Sequence, residues 1–352
     1  MKKLNMNKTS RTNFLTYAMV ILAYVVLQIM GASGGLSSTM KGQLVPICAY
    51  VVMTLSLNLT VGVLGELSLG HAGFMSVGAF AGAVASTALQ NIIPVAGLRL
   101  AVAMILGALI AGLAGVIIGI PVLRLNGDYL AIVTLAFGQI IKSLVENLYI
   151  GMDSVGMHFS FLHNTIKLEQ GGRMILSGPM GIPGITKLST FTAGFILVMV
   201  ALIVIFNLVN SRAGRAILAL RDNRIAAESV GIQVTKYKMM AIVTSAALAG
   251  AAGTLFALGQ NTIIASKFDF NTSILILVFV VLGGQGRMWG SIIAASALTV
   301  LPELLREFND YRMLVYAVVL ILVMLATNNP TLTNFFAGLR GKKTAAHKGG
   351  AH

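Results

Sequence analysis

The sequence predicts an all-α membrane protein, a polytopic bundle of transmembrane helices, and three observations support this. Hydrophobic residues make up 57% of the 352-residue chain and charged residues only 10%, whereas about a quarter of a soluble chain is charged. Uncharged runs long enough to cross a bilayer recur along the chain. The 25 basic residues, against 11 acidic ones, fall mainly in the loops and tails between these runs, as in membrane proteins that follow the positive-inside rule.

Ten transmembrane spans are predicted, within a range of eight to ten. They lie near residues 14–34, 43–64, 70–89, 99–121, 128–150, 190–209, 239–259, 270–284, 288–303 and 312–327. The eighth and ninth are short and could form one broken or re-entrant hairpin, and the third is rich in glycine. With the N-terminus inside, the inner segments hold about twice as many basic residues as the outer ones, which places both tails inside and requires an even number of spans.

The spans define the domain organisation. Residues 1–13 form a cytoplasmic N-terminal tail, 14–337 the transmembrane domain, and 338–352 a basic cytoplasmic tail that we expect to be disordered. The first apolar stretch is longer than the core of a signal peptide, so a retained span is predicted. The longest outer loop, 151–189, shows no helical period, and a loop of this length is usually functional or disordered.

The sequence carries no motif that indicates an enzyme or a cofactor site. It lacks the GxxxxGK[ST] phosphate-binding loop, HExxH, CxxC and GxSxG. The one cysteine, Cys48, cannot form a disulfide within the chain. His158 and His163 could ligate a metal, but no further cysteine or histidine clusters with them. We therefore expect no metal or cofactor, and the basic excess indicates membrane topology rather than nucleic-acid binding.

One polar island interrupts the apolar chain at residues 210–238. Two acidic residues accompany six basic ones, which are Arg212, Arg215, Arg221, Arg224, Lys236 and Lys238. Because basic loops stay on the inner side, this central loop is predicted to face the cytoplasm and a partner there. A helix is predicted to continue through residues 226–228 and to end at Gly231.

The central loop also has amphipathic character. Ile217, Leu220 and Ile225 form an interrupted apolar stripe, with Arg221 and Arg224 turned away from it. Such a short helix has two interpretations that composition cannot separate. It lies flat on anionic lipid, or it inserts into a groove on a cytoplasmic partner.

In two stretches of the chain, glycines interrupt an apolar run. Residues 62–73 read GVLGELSLGHAG, and residues 282–290 read LGGQGRMWG. Each interrupts an apolar run, one in either half of the chain. Paired breaks of this kind are typical of a transporter midplane and suggest internal pseudo-symmetry, although close helix packing also explains glycine-rich stretches.

Polar residues inside the apolar runs are candidates for a translocation path. Charged groups at membrane depth usually face a cavity or a partner, which singles out Glu66 beside Ser68 and His71. A half-helix beginning here would turn its partly positive N-terminus towards a substrate carboxylate; alternatively, Glu66 lies at the inner surface and caps the next helix. An interhelical hydrogen bond is predicted for Asn58. The candidate path comprises Asn58, Glu66, Ser68, Gly70, His71, Thr134, Gln139, Gly283 and Gly284.

Four stretches carry a resemblance to a known family. They are NLTVGVLGELSLGHAGFMSVGAFAGA (58–83), GDYLAIVTLAFGQI (127–140), SRAGRAILALRDNRIAAESVGIQVTKYK (211–238) and VLGGQGRMWGSIIAAS (281–296). Over about residues 45–325 the chain resembles the permease subunits of branched-chain amino acid ABC importers, the Liv-type family. The stretch GDYLAIVTL favours the M-type member of the permease pair over its H-type partner and over the urea and amide permeases.

The resemblance implies a division of labour. Two homologous permeases form the pore in the bacterial inner membrane, two cytoplasmic ATPases hydrolyse ATP, and an extracytoplasmic binding protein delivers the amino acid. By this likeness the ATPase-docking coupling helix comprises Ala226, Ala227, Glu228 and Gly231, with the neighbouring Arg221 and Arg224. This implication favours the protein partner over lipid for the amphipathic helix. Surrounding membrane lipid is the other expected partner, and the chain itself is expected to be no enzyme.

The chain also departs from the family pattern. Where the outer loop of the family often reads GGPNGI, residues 177–182 read SGPMGI, and the usual arginine-proline-glycine ending is missing. Leucine, isoleucine, valine or a similar small amino acid is the expected substrate. The alternatives are an importer of nucleosides, urea or short amides and, from another class, a membrane scaffold or receptor that recruits a partner without transport.

Overall fold

The computed structural model of the chain describes most of the sequence. The described residues are 8–35, 37–90, 92–123, 128–153, 156–162, 172–305, 314–315, 317–318 and 321. The chain divides into two compact units, Met1–Thr299 and Val300–His352. The first unit contains nearly all the described elements. In the second, the structure describes the end of one helix and a few helical residues beyond it.

Helices dominate the described residues. They are α1 (Lys8–Ala32), α2 (Ser38–Asn58), α3 (His71–Ala88), α4 (Ala96–Val122), α5 (Asp128–Glu146), α6 (Phe191–Asn210), α7 (Arg212–Asp222), α8 (Arg224–Ser229), α9 (Val234–Ala257), α10 (Phe270–Gly283) and α11 (Met288–Leu304). Six of the described helices are long and apolar enough to cross a membrane, and α10 and α11 are shorter apolar helices. The predicted helical bundle is confirmed. The tenth predicted span, 312–327, lies mostly outside the described residues, as do the tail 338–352 and His163.

The chain breaks its helices at the two glycine-rich stretches, as the sequence predicts. α2 passes into a π-helical turn, Leu59–Leu64, which ends at Gly65 with φ +81°. The next helix begins six residues later, at His71. Between α10 and α11 the chain turns at Gly284 and Gly286, with φ +90° and +78°. Because residues other than glycine rarely adopt these positive φ angles, glycine permits both breaks.

The core forms where α2, α3, α4 and α9 pack together. A Cβ atom at Gly78 of α3 would overlap the backbone of Gly250 in α9, and one at Gly107 of α4 would overlap the side chain of Thr254. Small residues therefore let these helix backbones approach closely, as is usual between membrane helices. α2 is central, with 89% of its span buried, whereas α1 is peripheral, with 11% buried.

A small antiparallel sheet that the sequence does not predict begins in the last residues of the predicted fifth span and continues into the predicted outer loop. α5 ends at Glu146, so the prediction that this span continues to residue 150 was wrong. β1 (Leu148–Met152) lies between β2 (Met157–Phe161) and β3 (Arg173–Ser177). Strands this short carry only two or three alternations of polar and apolar residues, so their period of two is weak in the sequence.

The SGPMGI segment follows β3 and forms a tight turn. A short 3₁₀ helix, Gly178–Met180, leads into Gly181, which has φ +71°. Ile182 then pairs with Ile263 in an isolated antiparallel bridge. This segment therefore ties the outer loop to the chain that follows α9.

Candidate coupling loop and translocation path

The central loop contains two short helices rather than one. α7 ends at Asp222, and Asn223 adopts an extended conformation with φ −157° and ψ 104°. The Asn223 side chain accepts a hydrogen bond from the backbone N–H of Ala226 at 3.0 Å and so caps α8. Gly231, with φ +84°, follows α8 and ends it. The predicted end at Gly231 is confirmed, but the prediction of a continuous helix was wrong because Asn223 breaks it.

The apolar stripe of the central loop is also divided. Ile217 and Leu220 of α7 are buried, whereas Ile225 of α8 is 80% exposed. Val230 is exposed beside it, at 75%. The prediction of one stripe through Ile225 was therefore wrong, because α7 turns its apolar face inward and α8 presents apolar side chains outward.

The predicted docking residues of α8 do not all share one face. Ala226 and Glu228 are exposed, but Ala227 is buried at 4%. Arg224 Nε donates to Glu228 Oε1 at 3.1 Å, which forms an i,i+4 ion pair on the helix surface. A partner would therefore contact Ala226, Glu228 and the exposed apolar side chains, while Ala227 packs α8 onto the rest of the chain.

The Arg221 side chain is 39% exposed, in line with the prediction that it turns away from the apolar stripe, yet it also reaches the bundle. Its Nη1 donates to the backbone carbonyl of Gly62 at 3.0 Å. Its aliphatic carbons lie against Gly65, where a Cβ atom would meet Arg221 Cγ at 2.6 Å. Nε and Nη2 bind Asp222 Oδ1 at 3.2 and 3.0 Å. Arg221 thereby joins α7 to the broken end of α2.

A second contact joins the central loop to the same break. Lys238, in the first turns of α9, forms an ion pair with Glu66, and their side chains are only 7% and 14% exposed. Glu66 therefore pairs with the central loop and does not line the cavity described below. A pair this buried is sensitive to the loss of either partner, since the remaining charge would be left without compensation.

The two glycine-broken stretches lie against each other. Asn58 Oδ1 accepts a hydrogen bond from Gly286 N–H at 2.7 Å, and Asn58 Nδ2 donates to Ser291 Oγ at 2.8 Å. The predicted interhelical hydrogen bond of Asn58 is therefore confirmed. A Cβ atom at Gly62 would overlap both Asn58 Oδ1 and the backbone of Gly286. The break that Arg221 contacts is thus packed directly on the other break.

The predicted path residues Gly283 and Gly284 form the turn of the second break. A Cβ atom at Gly283 would overlap the backbones of Gly290 and Ser291, so this glycine allows α10 and α11 to meet closely. Gly284 supplies the positive φ of the turn. Neither residue lines the cavity next to His71.

Three of the predicted path residues meet at a small cavity within the bundle. Ser68, His71 and Thr134 line a space of about 20 Å³. Two hydroxyls that the sequence analysis did not single out, Thr60 and Ser245, line it as well. The space suffices for one water molecule, so this cavity is too small for an amino acid in this conformation.

Hydrogen bonds hold the polar wall of this cavity in place. His71 Nε2 lies 2.8 Å from Ser56 Oγ. Ser245 Oγ donates to the carbonyl of Ser56 at 2.6 Å, and Thr60 Oγ1 donates to Ser245 Oγ at 3.0 Å. Ser56 lies in α2 and Thr60 lies four residues later, in the π-helical turn. Polar residues at this spacing share one face of a helix, so this pattern in the sequence could have indicated both residues.

Thr134 and Gly70 also determine how the start of α3 packs against α5. The backbone N–H of Leu69 donates to Thr134 Oγ1 at 3.1 Å. A Cβ atom at Gly70 would overlap the carbonyl of Thr134, so α3 and α5 can approach here only with glycine. Gln139 is half-buried on α5 and does not line the cavity.

Comparison with known proteins places this arrangement in a family. A sequence model described as "Branched-chain amino acid transport system / permease component" matches residues 39–324. The chain belongs to this family. The resemblance found from the sequence is confirmed, and the permease family makes the chain a multi-pass membrane protein.

Individual relatives agree with the family. The chain is 38% identical over 286 residues to the high-affinity branched-chain amino acid transport system permease protein LivM of Salmonella typhimurium. It is 37% identical over 290 residues to LivM of Escherichia coli K12. Each alignment covers 78% of this chain and 66% of the relative, so the permease chain spans just under two thirds of their length.

A more distant permease covers more of both chains. The fructose import permease protein FruG of Bifidobacterium longum is 27% identical over 322 residues, which is 86% of each chain. No solved structure matched the chain.

Proposed function

We propose that this permease chain forms part of the membrane path of an importer for leucine, isoleucine, valine or a similar small amino acid. The path lies in a bacterial inner membrane, with both termini and the central loop in the cytoplasm. The identity to the two LivM proteins supports the substrate class. The observation that carries the mechanism is that the central loop holds the broken end of α2 through Arg221 and Lys238.

The proposal requires partners that supply energy and substrate. A second, homologous permease completes the pore, two cytoplasmic ATPases hydrolyse ATP, and an extracytoplasmic binding protein delivers the amino acid. α8 is the docking element for an ATPase, because Ile225 and Val230 present exposed apolar surface there. The outer loop, 151–189, faces the binding protein.

Movement of α8 reaches the path through a short chain of contacts. α7 carries the movement to Gly62 through Arg221. The start of α9, at the end of the central loop, carries it to Glu66 through Lys238. Gly62 is packed on Gly286, so displacement of one break shifts the other. Because the segment after Gly65 leads directly into Ser68 and His71, the same displacement opens the closed cavity.

The cavity chemistry suits a zwitterion that passes without being held tightly. Its polar groups are the Thr60, Ser68, Thr134 and Ser245 hydroxyls and the His71 imidazole. Hydroxyls both donate and accept hydrogen bonds, so they can serve an ammonium and a carboxylate in turn. No aspartate, glutamate, lysine or arginine side chain, whose permanent charge would trap either group, is among the described residues that line this cavity.

The test is ATP-dependent uptake of labelled leucine into proteoliposomes that contain this chain and its four partner subunits. Uptake that disappears when this chain is left out would support the proposal. Unlabelled isoleucine and valine should compete, whereas fructose and urea should not. If fructose competes and leucine is not taken up, the chain serves a sugar importer and the amino-acid assignment is wrong.

A further inference from the structure

A second and larger cavity lies apart from the closed path. This crevice has a volume of about 320 Å³ and opens between α1, α6 and the break that separates α10 from α11. Asn210 lines the crevice and ends α6, so the crevice lies at the end of the bundle that carries the central loop.

The crevice has the charge of an anion site. Arg287 lines it, is exposed, and forms no ion pair with the described residues. Asn13, Thr16 and Asn210 supply neutral polar groups, and no acidic residue is among the described residues that line the crevice. Arg212, which is exposed, follows Asn210 by two residues in the chain. An anion that enters here would therefore meet the Arg287 guanidinium without a competing carboxylate among the described lining residues.

The crevice also has the apolar wall that a lipid requires. Phe206, Val209 and Trp289 line it, and Trp289 is 38% exposed. Tryptophan and arginine are enriched at the membrane–water interface, where an apolar ring and a charged head group lie side by side. One wall of the crevice belongs to α1, an apolar helix of membrane length that is only 11% buried within the chain, so its outer surface is open to lipid. A free phosphate ion would make no use of this apolar surface.

We propose that the crevice binds an anionic phospholipid, with its phosphate on Arg287 and its acyl chains along Phe206 and Trp289. Basic pockets between transmembrane helices are suited to acidic head groups. The bound lipid would lie against Gly286, whose N–H is held by Asn58. This lipid site goes beyond the transport function and does not depend on which solute crosses the membrane.

The chain contains a reporter for this site, because Trp289 is its one tryptophan. We would reconstitute the full chain in phosphatidylcholine vesicles and add phosphatidylglycerol or phosphatidylcholine with brominated acyl chains, which quench nearby tryptophan. One cation near an anionic head group should enrich that lipid about fivefold at the site. Brominated phosphatidylglycerol should therefore quench Trp289 to the same extent as brominated phosphatidylcholine does at about five times its mole fraction. Equal quenching by both lipids would overturn the proposal.

Substitutions test whether the preference for phosphatidylglycerol arises in the crevice. Arg287→Gln should abolish the preference for phosphatidylglycerol, and Arg287→Lys should keep most of it because the charge remains. Lys236→Gln is the matched control, since it removes an exposed cation of the central loop that does not line the crevice. A preference that survives Arg287→Gln, or that disappears equally in Lys236→Gln, would show general surface attraction and contradict the site.

A further experiment distinguishes binding of the phospholipid from binding of free phosphate. Inorganic phosphate replaces chloride at constant ionic strength while the quenching by brominated phosphatidylglycerol is followed. The lipid proposal predicts that the preference persists. If phosphate removes the preference in the unsubstituted chain and changes Trp289 emission there but not in Arg287→Gln, the crevice is a phosphate site and the lipid assignment is wrong.

Discussion

Glu66 and Lys238 carry opposite charges in a nearly buried position, and this determines how the chain responds to substitution there. Taking two charges out of water is costly, so the pair adds little net stability compared with two neutral side chains. Removing only one partner is different, because it strands the other charge. The pair is therefore better understood as a specific connection between α9 and the broken end of α2 than as a source of stability.

Lys238→Met alone is expected to destabilise the chain by about 3–5 kcal/mol, since Glu66 is left without compensation. Combining it with Glu66→Gln removes both charges and should restore most of the loss. Thermal unfolding of the purified transporter measures both effects. A double variant that melts as low as the single one would mean that the two residues do not act as a pair.

A substitution at Gly62 tests how closely the break after α2 packs on the break between α10 and α11. Gly62→Ala should cost about 1–3 kcal/mol, because its Cβ atom would overlap the backbone of Gly286. Gly42→Ala in α2 is the matched control, since nothing lies within 4 Å of that position. A helical glycine replaced without a clash should leave stability equal or slightly higher. Equal melting temperatures for the two variants would contradict the close packing at Gly62.

At the scale of elements, the division of the central loop into α7 and α8 separates two tasks. α7 buries Ile217 and Leu220 and so is fixed to the bundle, whereas α8 exposes its apolar residues. Asn223 makes the division possible because its side chain caps α8 while its backbone is extended. A side-chain cap and a glycine thus define the two ends of α8, and both features stabilise the ends of a helix this short.

Ile225→Asp should prevent the ATPase from co-purifying with the permease, because it places a charge on the exposed apolar surface of α8. Membrane insertion should remain normal, since this side chain is 80% exposed. Met180→Asp is the control, a change of the same kind at an exposed residue of the predicted outer loop. Affinity purification from membranes measures the bound ATPase. Full retention of the ATPase by Ile225→Asp would remove α8 from the docking surface.

For the whole molecule, sequence reasoning found the helical bundle and both breaks because these follow from composition and from glycine. It placed Ser68, His71 and Thr134 together but missed the contact between the two breaks, which are more than 200 residues apart in the chain and so share no local pattern. The hydrogen bond from Arg221 to Gly62 was missed because the helical period describes which face a residue lies on but not which distant carbonyl a long side chain reaches. The small sheet was missed because its strands are too short for a clear alternation.

The central claim is that Arg221 transmits movement of the docked ATPase to the path. Arg221→Ala removes a charge-assisted hydrogen bond worth about 1.5–3 kcal/mol. Arg215→Ala removes an exposed arginine of the same helix, whose side chain donates, among the described residues, to the Asn210 carbonyl at 3.4 Å. The measurement is leucine taken up per ATP hydrolysed in reconstituted transporters. We expect this ratio to fall roughly tenfold in Arg221→Ala, with the ATPase still bound and active, and to be unchanged in Arg215→Ala. An unchanged ratio in Arg221→Ala would contradict the claim.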